Sequence, residues 1–213
     1  MGRIYEATWG RGFAALYDSF LSSTEEAGLR EMRRNLLREA SGRTIDIGAG
    51  TGANLEHYPP QVDELVLAEP SPHMAKRLRA NAAESQRNVE VVAAPAERLP
   101  FADRSFDTAV FTLVLCTVPD PEAALAEAAR VLHPDGRLLF LEHVRAGDPR
   151  TARWQDRLER PWRFLGAGCH CNRDTASTIE RSALRIESIE EDRMPKAPPI
   201  VRPLIRGRAR LSA

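Results

Sequence analysis

Lysine is nearly absent from this 213-residue chain: of thirty basic side chains only Lys76 and Lys196 are lysine, and the rest are arginine. That bias reads first as GC-rich coding of a bacterial type and only second as a functional preference. A surplus of either charge is also missing, because thirty Asp and Glu balance the thirty Lys and Arg. The balance argues against a globally basic nucleic-acid binder, whose phosphate contacts need surplus positive charge. It equally argues against an acidic disordered chain. Cysteine is scarce: Cys116, Cys169 and Cys171 cannot build the disulfide framework of an extracellular domain. The longest uncharged, mostly apolar run, residues 108–118, is about half of what spans a bilayer. The first residues carry no apolar signal-peptide stretch, and Glu6 stands where a myristoylation signal needs Ser or Thr. A cytoplasmic protein with no integral membrane association is expected.

What is present suffices for one core. With 43% hydrophobic residues, the chain has the size of a single domain. From Arg43 onward strand-like and helix-like segments alternate, the pattern of a parallel α/β sheet. Strands are expected at 44–47, 65–68, 89–92, 106–113 and 137–144. A helix is expected to begin at 53–57, with others at 71–81, capped by Ser71 with Pro72 in its first turn, and at 122–132. His133-Pro134-Asp135-Gly136 reads as a turn. Residues 1–42 read as a helical cap with Leu29, Met32, Leu36 and Leu37 at amphipathic spacing. Residues 145–182 read as a helical insertion carrying Trp154 and Trp162. Two further strands, 184–189 and 203–211, are joined by a proline-rich loop at 195–199 within the C-terminal part, 183–213. The expected fold is one doubly wound α/β domain with a mostly parallel, seven-stranded sheet and a cofactor-binding core at 43–144.

Thr44-Ile45-Asp46-Ile47 runs straight into Gly48-Ala49-Gly50-Thr51-Gly52. Glycines at the carboxyl end of a parallel strand let the backbone turn sharply and let a ligand approach where a Cβ would obstruct it. Glu69, at the end of the second strand, is placed to take ribose hydroxyls. These features alone also satisfy a relaxed dinucleotide fingerprint, with Ala53 for the third glycine.

Four successive stretches decide between the two readings. Asp46–Gly52, then Glu69-Pro70-Ser71-Pro72-His73-Met74, then 94–101 with Ser105-Phe106-Asp107, then 130–138 resemble the ordered motifs of the class I S-adenosylmethionine-dependent methyltransferases. The resemblance implies S-adenosylmethionine as methyl donor and S-adenosylhomocysteine as product. It implies that Gly48, Ala49, Gly50 and Gly52 line the methionine half, with Asp46 near its ammonium end. Glu69 and Pro70 would meet the ribose, Ala96 and Glu97 the adenine edge, and Thr112 and Leu113 the cofactor after strand four. For Met74, adenine contact and core packing stand side by side. Pro95 departs from the family, where Asp is common, and has no N–H to offer.

A narrower likeness runs through 112–118, Leu141-Glu142-His143-Val144, and Trp162 followed by Gly168-Cys169-His170 and Arg173-Asp174-Thr175. These stretches resemble the methyltransferase-like 7 branch, which implies methylation of small thiols. The animal members begin with a membrane-anchoring segment, and the first residues here lead to the expectation of none. A thiolate is strongly nucleophilic, so in-line attack on an activated methyl needs mainly positioning and exclusion of water. His143, directly after strand five, is the first candidate for base or orienter and His170 the second; stabilising the loop is the competing role for each. Tyr17, Cys116, Trp162 and Phe164, with Trp154, are candidate walls of the acceptor pocket. Cys169-His170-Cys171 lacks the second ligand pair of a tetrahedral metal site, so no metal is expected. Arginines crowd 145–173, and Arg202, Arg206, Arg208 and Arg210 follow. They read as solvated, acid-paired faces or as a basic rim suited to an anionic substrate or peripheral contact with an anionic lipid surface. An amine or phospholipid head group methylated at nitrogen is the alternative acceptor, and a cofactor-binding regulator without catalysis is a third reading. Oligomeric state is not readable from the sequence.

Overall fold

The computed structural model describes residues 23–85, 87–166 and 168–212; Tyr17 and the first part of the N-terminal region lie outside them. Seven strands form one sheet in the order β3-β2-β1-β4-β5-β7-β6. They are β1 (Gly42–Ile47), β2 (Val62–Ala68), β3 (Val89–Val92), β4 (Phe106–Thr112), β5 (Leu132–His143), β6 (Leu184–Arg193) and β7 (Pro203–Leu211). The first five pair in parallel, and β7 inserts antiparallel between β5 and β6. The chain reverses its winding between β1 and β4, so a crevice opens beyond their carboxyl ends, where open α/β sheets take ligands.

The strands alternate strictly between two buried clusters. Ile45, Ile47, Val66, Ala68, Phe111, Leu138 and Phe140 face one side, and Leu65, Leu67, Val110, Leu139 and Leu141 face the other. A strand covered on both faces reads as a nearly continuous apolar run, which is why β4 and β5 are so apolar. Helix α1 (Arg30–Leu37) and α2 (Pro72–Glu84) supply Leu36, Leu37 and Leu78 to the second cluster. On the opposite face, α3 (Pro121–Val131) and α5 (Thr175–Glu180) supply Ala124, Leu125, Ala128 and Ile179. Helix α4 (Pro149–Leu165) lies in the insertion after β5. Three helices start alike: Ser71, Asp120 and Asp148 each accept a backbone N–H of the first turn and are followed by proline. The missing N–H of proline costs nothing there, since that donor has no partner within a helix.

Two expectations are corrected. No α-helix follows the glycine loop; one 3-10 turn, Leu55–His57, stands where a helix was expected to begin at Ala53. The pair Pro59-Pro60 holds Tyr58 extended and stops propagation. Residues 133–136 are not a turn before β5 but a bulge within it. Leu132 pairs with Phe106 and Arg137 with Thr108, so β5 carries extra residues opposite Asp107. β4 also stops one residue early, because Leu113 adopts φ 61°.

Gly207 lies where β7 passes between its neighbours, paired with Phe140 and Ile189. A Cβ there collides with the Ser188 carbonyl oxygen and the Phe140 ring. Gly207→Ala is therefore expected to cost about 1–3 kcal/mol, the range for overpacking, read as a lowered urea midpoint. An unchanged midpoint would show that the sheet accommodates the methyl.

Candidate functional site

The glycine loop leaves β1 and folds back on β2 through the Gly48 and Ala49 N–H groups, both donated to the Ala68 carbonyl. Gly48 and Gly50 both adopt positive φ, 75° and 59°, but space constrains them differently. A Cβ on Gly48 would strike Val114, whereas a Cβ on Gly50 meets nothing within 4 Å. Gly48 is small because the β4 loop packs on it; Gly50 opens onto free space at the mouth of the crevice. Glu69 fastens the loop from the far side. Its buried carboxylate accepts the Gly50 N–H at 2.9 Å and the Ser71 N–H at 2.8 Å. Burial raises its pKa, opposed by those two bonds.

Asp46 is buried at the end of β1, and burial raises its pKa too, opposed first by the Asn54 amide. Asn54 donates to Asp46 Oδ2 and to Thr112 Oγ1, each at 2.9 Å, and accepts from Arg33 Nη1 at 3.0 Å. Arg33 is itself buried and also bonds Glu25 at 3.0 Å. The amide of Asn54 thus has all three partners fixed, and the buried Tyr58 hydroxyl acts on the same Asp46 carboxylate. Neither Arg33 nor Asn54 was singled out from the sequence. Arg33 carried a signal, since it interrupts the apolar stripe between Leu29 and Leu36 in an otherwise amphipathic helix; Asn54 carried none.

The remaining cofactor-side candidates follow the carboxyl ends of β2, β3 and β4. Pro70 is exposed, Met74 half-buried and Ala96 buried, while Glu97 accepts the Asp120 N–H at 3.2 Å. Leu113 donates its N–H to the Leu141 carbonyl at 2.8 Å. An open groove of about 790 Å³ beside Gly52, Leu55, Asn81 and Arg87 lies on the outer flank of the loop. Asp46, Glu69 and Thr112 do not line it, so the candidate site is placed by the loop and its carboxylates, not by that groove.

Beyond β4 and β5 the chemistry changes to sulfur. Glu142, completely buried, accepts the N–H groups of Val114 (2.9 Å), Leu115 (3.0 Å) and Cys116 (3.3 Å). Burial pushes its carboxyl up to about 7 against those three donors. The loop so held carries Cys116 toward His143 and toward Cys169 of the insertion, and the ligand-type atoms of the three lie within 4.8 Å of one another. Both ring nitrogens of His143 face sulfur: Nδ1 lies 3.6 Å from Cys169 Sγ and Nε2 3.4 Å from Met194 Sδ. The Cys116 thiol, with the His143 ring adding, holds Cys169 well below the ordinary thiol range, while Cys116 is pushed well above it by its contact with Cys169 and by burial.

The structure separates the three residues that are adjacent in sequence. His170 turns to Glu159, with Nδ1 at 2.9 Å, and burial lowers its pKa; Cys171 Sγ faces the Gln155 carbonyl at 3.8 Å. Trp162 is half-buried and its indole N–H acts on Cys169, helping to hold that thiol low, whereas Phe164 and Trp154 are largely exposed. Several arginines of the suspected basic rim are committed to partners. Arg145 pairs with Asp156, Arg163 with Glu159, Arg206 with Glu190, and Arg208 and Arg210 with Glu187. Arg173 donates to the Leu115 and Val118 carbonyls and Arg202 to that of Ala197.

Comparison with known proteins adds three findings. Residues 45–140 match the family described as a methyltransferase domain. The chain is 38% identical over 183 residues to thiol S-methyltransferase TMT1B of Homo sapiens, covering 81% of this chain and 73% of that protein. It is 35% identical over 207 residues to thiol S-methyltransferase TMT1A of Homo sapiens, covering 92% and 82%. Across the curated thiol methyltransferases cited here and the rat TMT1B, the match spans 58% to 82% of the relative's length. Among solved structures, a Thermotoga maritima protein titled a SAM-dependent methyltransferase, possible histamine N-methyltransferase, superposes with a TM-score of 0.71 at 23% identity over 100% of both chains. At that identity it speaks for the fold alone.

The Glu142 contacts generate a stability prediction. Glu142→Gln keeps the shape but turns an amide NH2 toward a backbone donor, leaving a buried group unmatched at a cost of about 1–3 kcal/mol. The thermal midpoint should fall by several degrees, roughly 2–4 °C per kcal/mol for this size. An unaltered midpoint would remove Glu142 from its structural role.

Proposed function

The chain belongs to the class I S-adenosylmethionine-dependent methyltransferases, in the branch that includes the thiol S-methyltransferases, and on that premise we propose that it methylates the sulfur of a small thiol. The observation that carries the proposal is the character of the β4 and β5 ends. Cys116 after β4 and His143 at the end of β5 meet Cys169 of the insertion and Met194 after β6, so two thiols, an imidazole and a thioether gather there, all buried. A soft, water-poor wall suits a soft nucleophile, which needs alignment and desolvation more than it needs polar partners.

S-Adenosylmethionine supplies a methyl group already activated on a sulfonium sulfur. The residues at the crevice mouth fit such a group. The free space over Gly50 admits a ligand against the backbone, and the Asp46 carboxylate, whose Oδ2 alone is taken by Asn54, is an acceptor for an ammonium. Glu69 presents two carboxylate oxygens matched to paired hydroxyls. In this reading Asp46, Gly48, Ala49, Gly50 and Gly52 hold the amino-acid end. Glu69 and Pro70 hold the ribose, Met74, Ala96 and Glu97 border the base, and Thr112 and Leu113 close the β4 side. Asn54 and Arg33 act one step back, fixing how Asp46 points.

On the acceptor side, His143 and Trp162 with Cys116 form the inner wall. Since both His143 nitrogens face sulfur, the ring orients the sulfur groups around it and offers no free nitrogen as a base toward the crevice. His170, engaged by Glu159, acts at most on the insertion that covers the wall. An acceptor thiol with pKa near 8.5 is already a few per cent ionised at neutral pH, so slow transfer proceeds without a base.

Two experiments check the proposal. With the labelled methyl donor and a panel of small thiols, amines and phenols, label should enter thiols; label confined to amines, lipids or phenols would overturn the sulfur assignment. Saturable donor binding with no transfer to any class would leave a regulator. Gly50→Val should fold, because no atom lies within 4 Å of its Cβ, with a strain of about 1–2 kcal/mol from its left-handed backbone. It should nevertheless bind the donor at least about tenfold more weakly, a loss of about 1.4 kcal/mol by calorimetry.

A further inference from the structure

Cys116, His143 and Cys169 come from three separate segments and converge on one buried point. Cys116 follows β4 in the loop held by Glu142, and His143 ends β5. Cys169 lies in the insertion, whose next residue, His170, donates its N–H to the Cys116 carbonyl at 2.7 Å. The relative exposures of the three side chains are 1%, 8% and 6%. The expectation of no metal rested on the spacing Cys169-His170-Cys171, and the fold assembles a different set from residues far apart in sequence.

We infer that Cys116, His143 and Cys169 form a three-ligand site for a soft divalent metal ion of the zinc class, whose fourth position receives the thiolate of the acceptor. The Cys169–His143 spacing is that of two ligands sharing one centre. With Zn–S about 2.3 Å and Zn–N about 2.0–2.1 Å, a tetrahedral angle sets sulfur and nitrogen ligands about 3.6 Å apart. Cys169 Sγ and His143 Nδ1 stand 3.6 Å apart, and no pair in the triad exceeds 4.8 Å. Two thiolates and an imidazole select zinc over magnesium or calcium, which require oxygen. They also neutralise the dication, so burial carries no uncompensated charge. Three protein ligands leave the fourth position of a tetrahedral ion to a ligand from outside the triad, the arrangement of a working site as opposed to a four-ligand structural one.

The second part of the inference rests on the thiol reading above. On coordination the acceptor R–SH loses its proton to solvent and binds as R–S⁻. Its sulfur lone pair then forms the new S–CH3 bond as the sulfonium S–CH3 bond breaks, and that electron pair stays on the donor sulfur, leaving a neutral thioether. The methylated acceptor is also a thioether, a weaker ligand than a thiolate, and so it departs. No electron is exchanged with the metal. The ion does for the acceptor what His143, facing sulfur on both nitrogens, is not placed to do as a base.

The test uses the full chain purified without a histidine tag. Elemental analysis should give one zinc per chain. After chelator dialysis and cobalt(II) addition, the protein should show the sulfur-to-cobalt absorption of a tetrahedral thiolate site. Cys169→Ser and Cys116→Ser should lose that band, whereas Cys171→Ser, altering a buried cysteine outside the triad, should keep it. Because the wild-type cobalt spectrum needs no variant, a folding failure in the serine variants does not decide the matter. Chelated enzyme should lose at least about tenfold in thiol methylation and regain it with zinc. A metal-free protein that takes up no cobalt, or a band that survives Cys169→Ser, overturns the site. A cobalt spectrum that an unmethylated small thiol leaves unchanged, in the absence of donor, overturns the fourth-ligand role. A triad-dependent cobalt spectrum in a protein that methylates no thiol supports the metal site and overturns the sulfur acceptor instead.

Discussion

A single buried carboxylate organises both halves of the crevice. Glu142 collects three consecutive backbone N–H groups at the point where the chain leaves β4. Those donors are inside the protein and would otherwise be unpaired, and each orphan costs as much as a lost hydrogen bond. By anchoring them, Glu142 fixes Val114 against Gly48 on the donor side and Cys116 beside His143 on the acceptor side. The position of the loop is therefore set by electrostatics between main chain and two side chains, Glu142 on its N–H groups and Arg173 on the Leu115 and Val118 carbonyls, and the remaining geometry of the site follows from it.

Much of the scaffold was readable from residue pattern alone, for a physical reason. Strands covered on both faces must be apolar over their whole length, and Ser71-Pro72, Asp120-Pro121 and Asp148-Pro149 announce helix starts through the chemistry of unpaired N–H groups. The same local reasoning failed after Gly52, where Pro59-Pro60 halts a helix that the preceding residues alone would allow. It failed again at 133–136, where turn-forming residues are absorbed into a bulge of β5 because β4 pairs on both sides of them. Local preference loses whenever a neighbouring strand supplies the hydrogen bonds.

The loop Gly48–Gly52 was legible as a ligand-approach point because its requirement, absence of a Cβ, is written in the residue type. The sulfur cluster was not. Cys169 and His143 are 26 residues apart and meet only because the insertion returns over the end of β5. Cys169-His170-Cys171 drew attention by adjacency, yet the chain there is no strand and its side chains part: Cys169 goes to the triad, His170 to Glu159 and Cys171 to the Gln155 carbonyl. Arg33 lay between these extremes: a charge in an apolar stripe signals a buried partner, but its identity, Asn54, depends on a turn that the sequence does not announce.

The pairing of Arg206, Arg208 and Arg210 with Glu187, Glu190 and Asp192 has a consequence for colloidal behaviour. β6 is an open edge of the sheet, and an unpaired edge is a template onto which a second chain can add. Here most exposed positions of that edge are ionic, interrupted by Ser188 and Ile189, and the opposite edge, β3, is only four residues long. Cross-chain strand addition would have to strip water from a dense row of carboxylates and guanidinia. A protein of zero net charge lacks long-range self-repulsion, and this alternation of signs along its most vulnerable rim supplies short-range protection against fibrous association in its place.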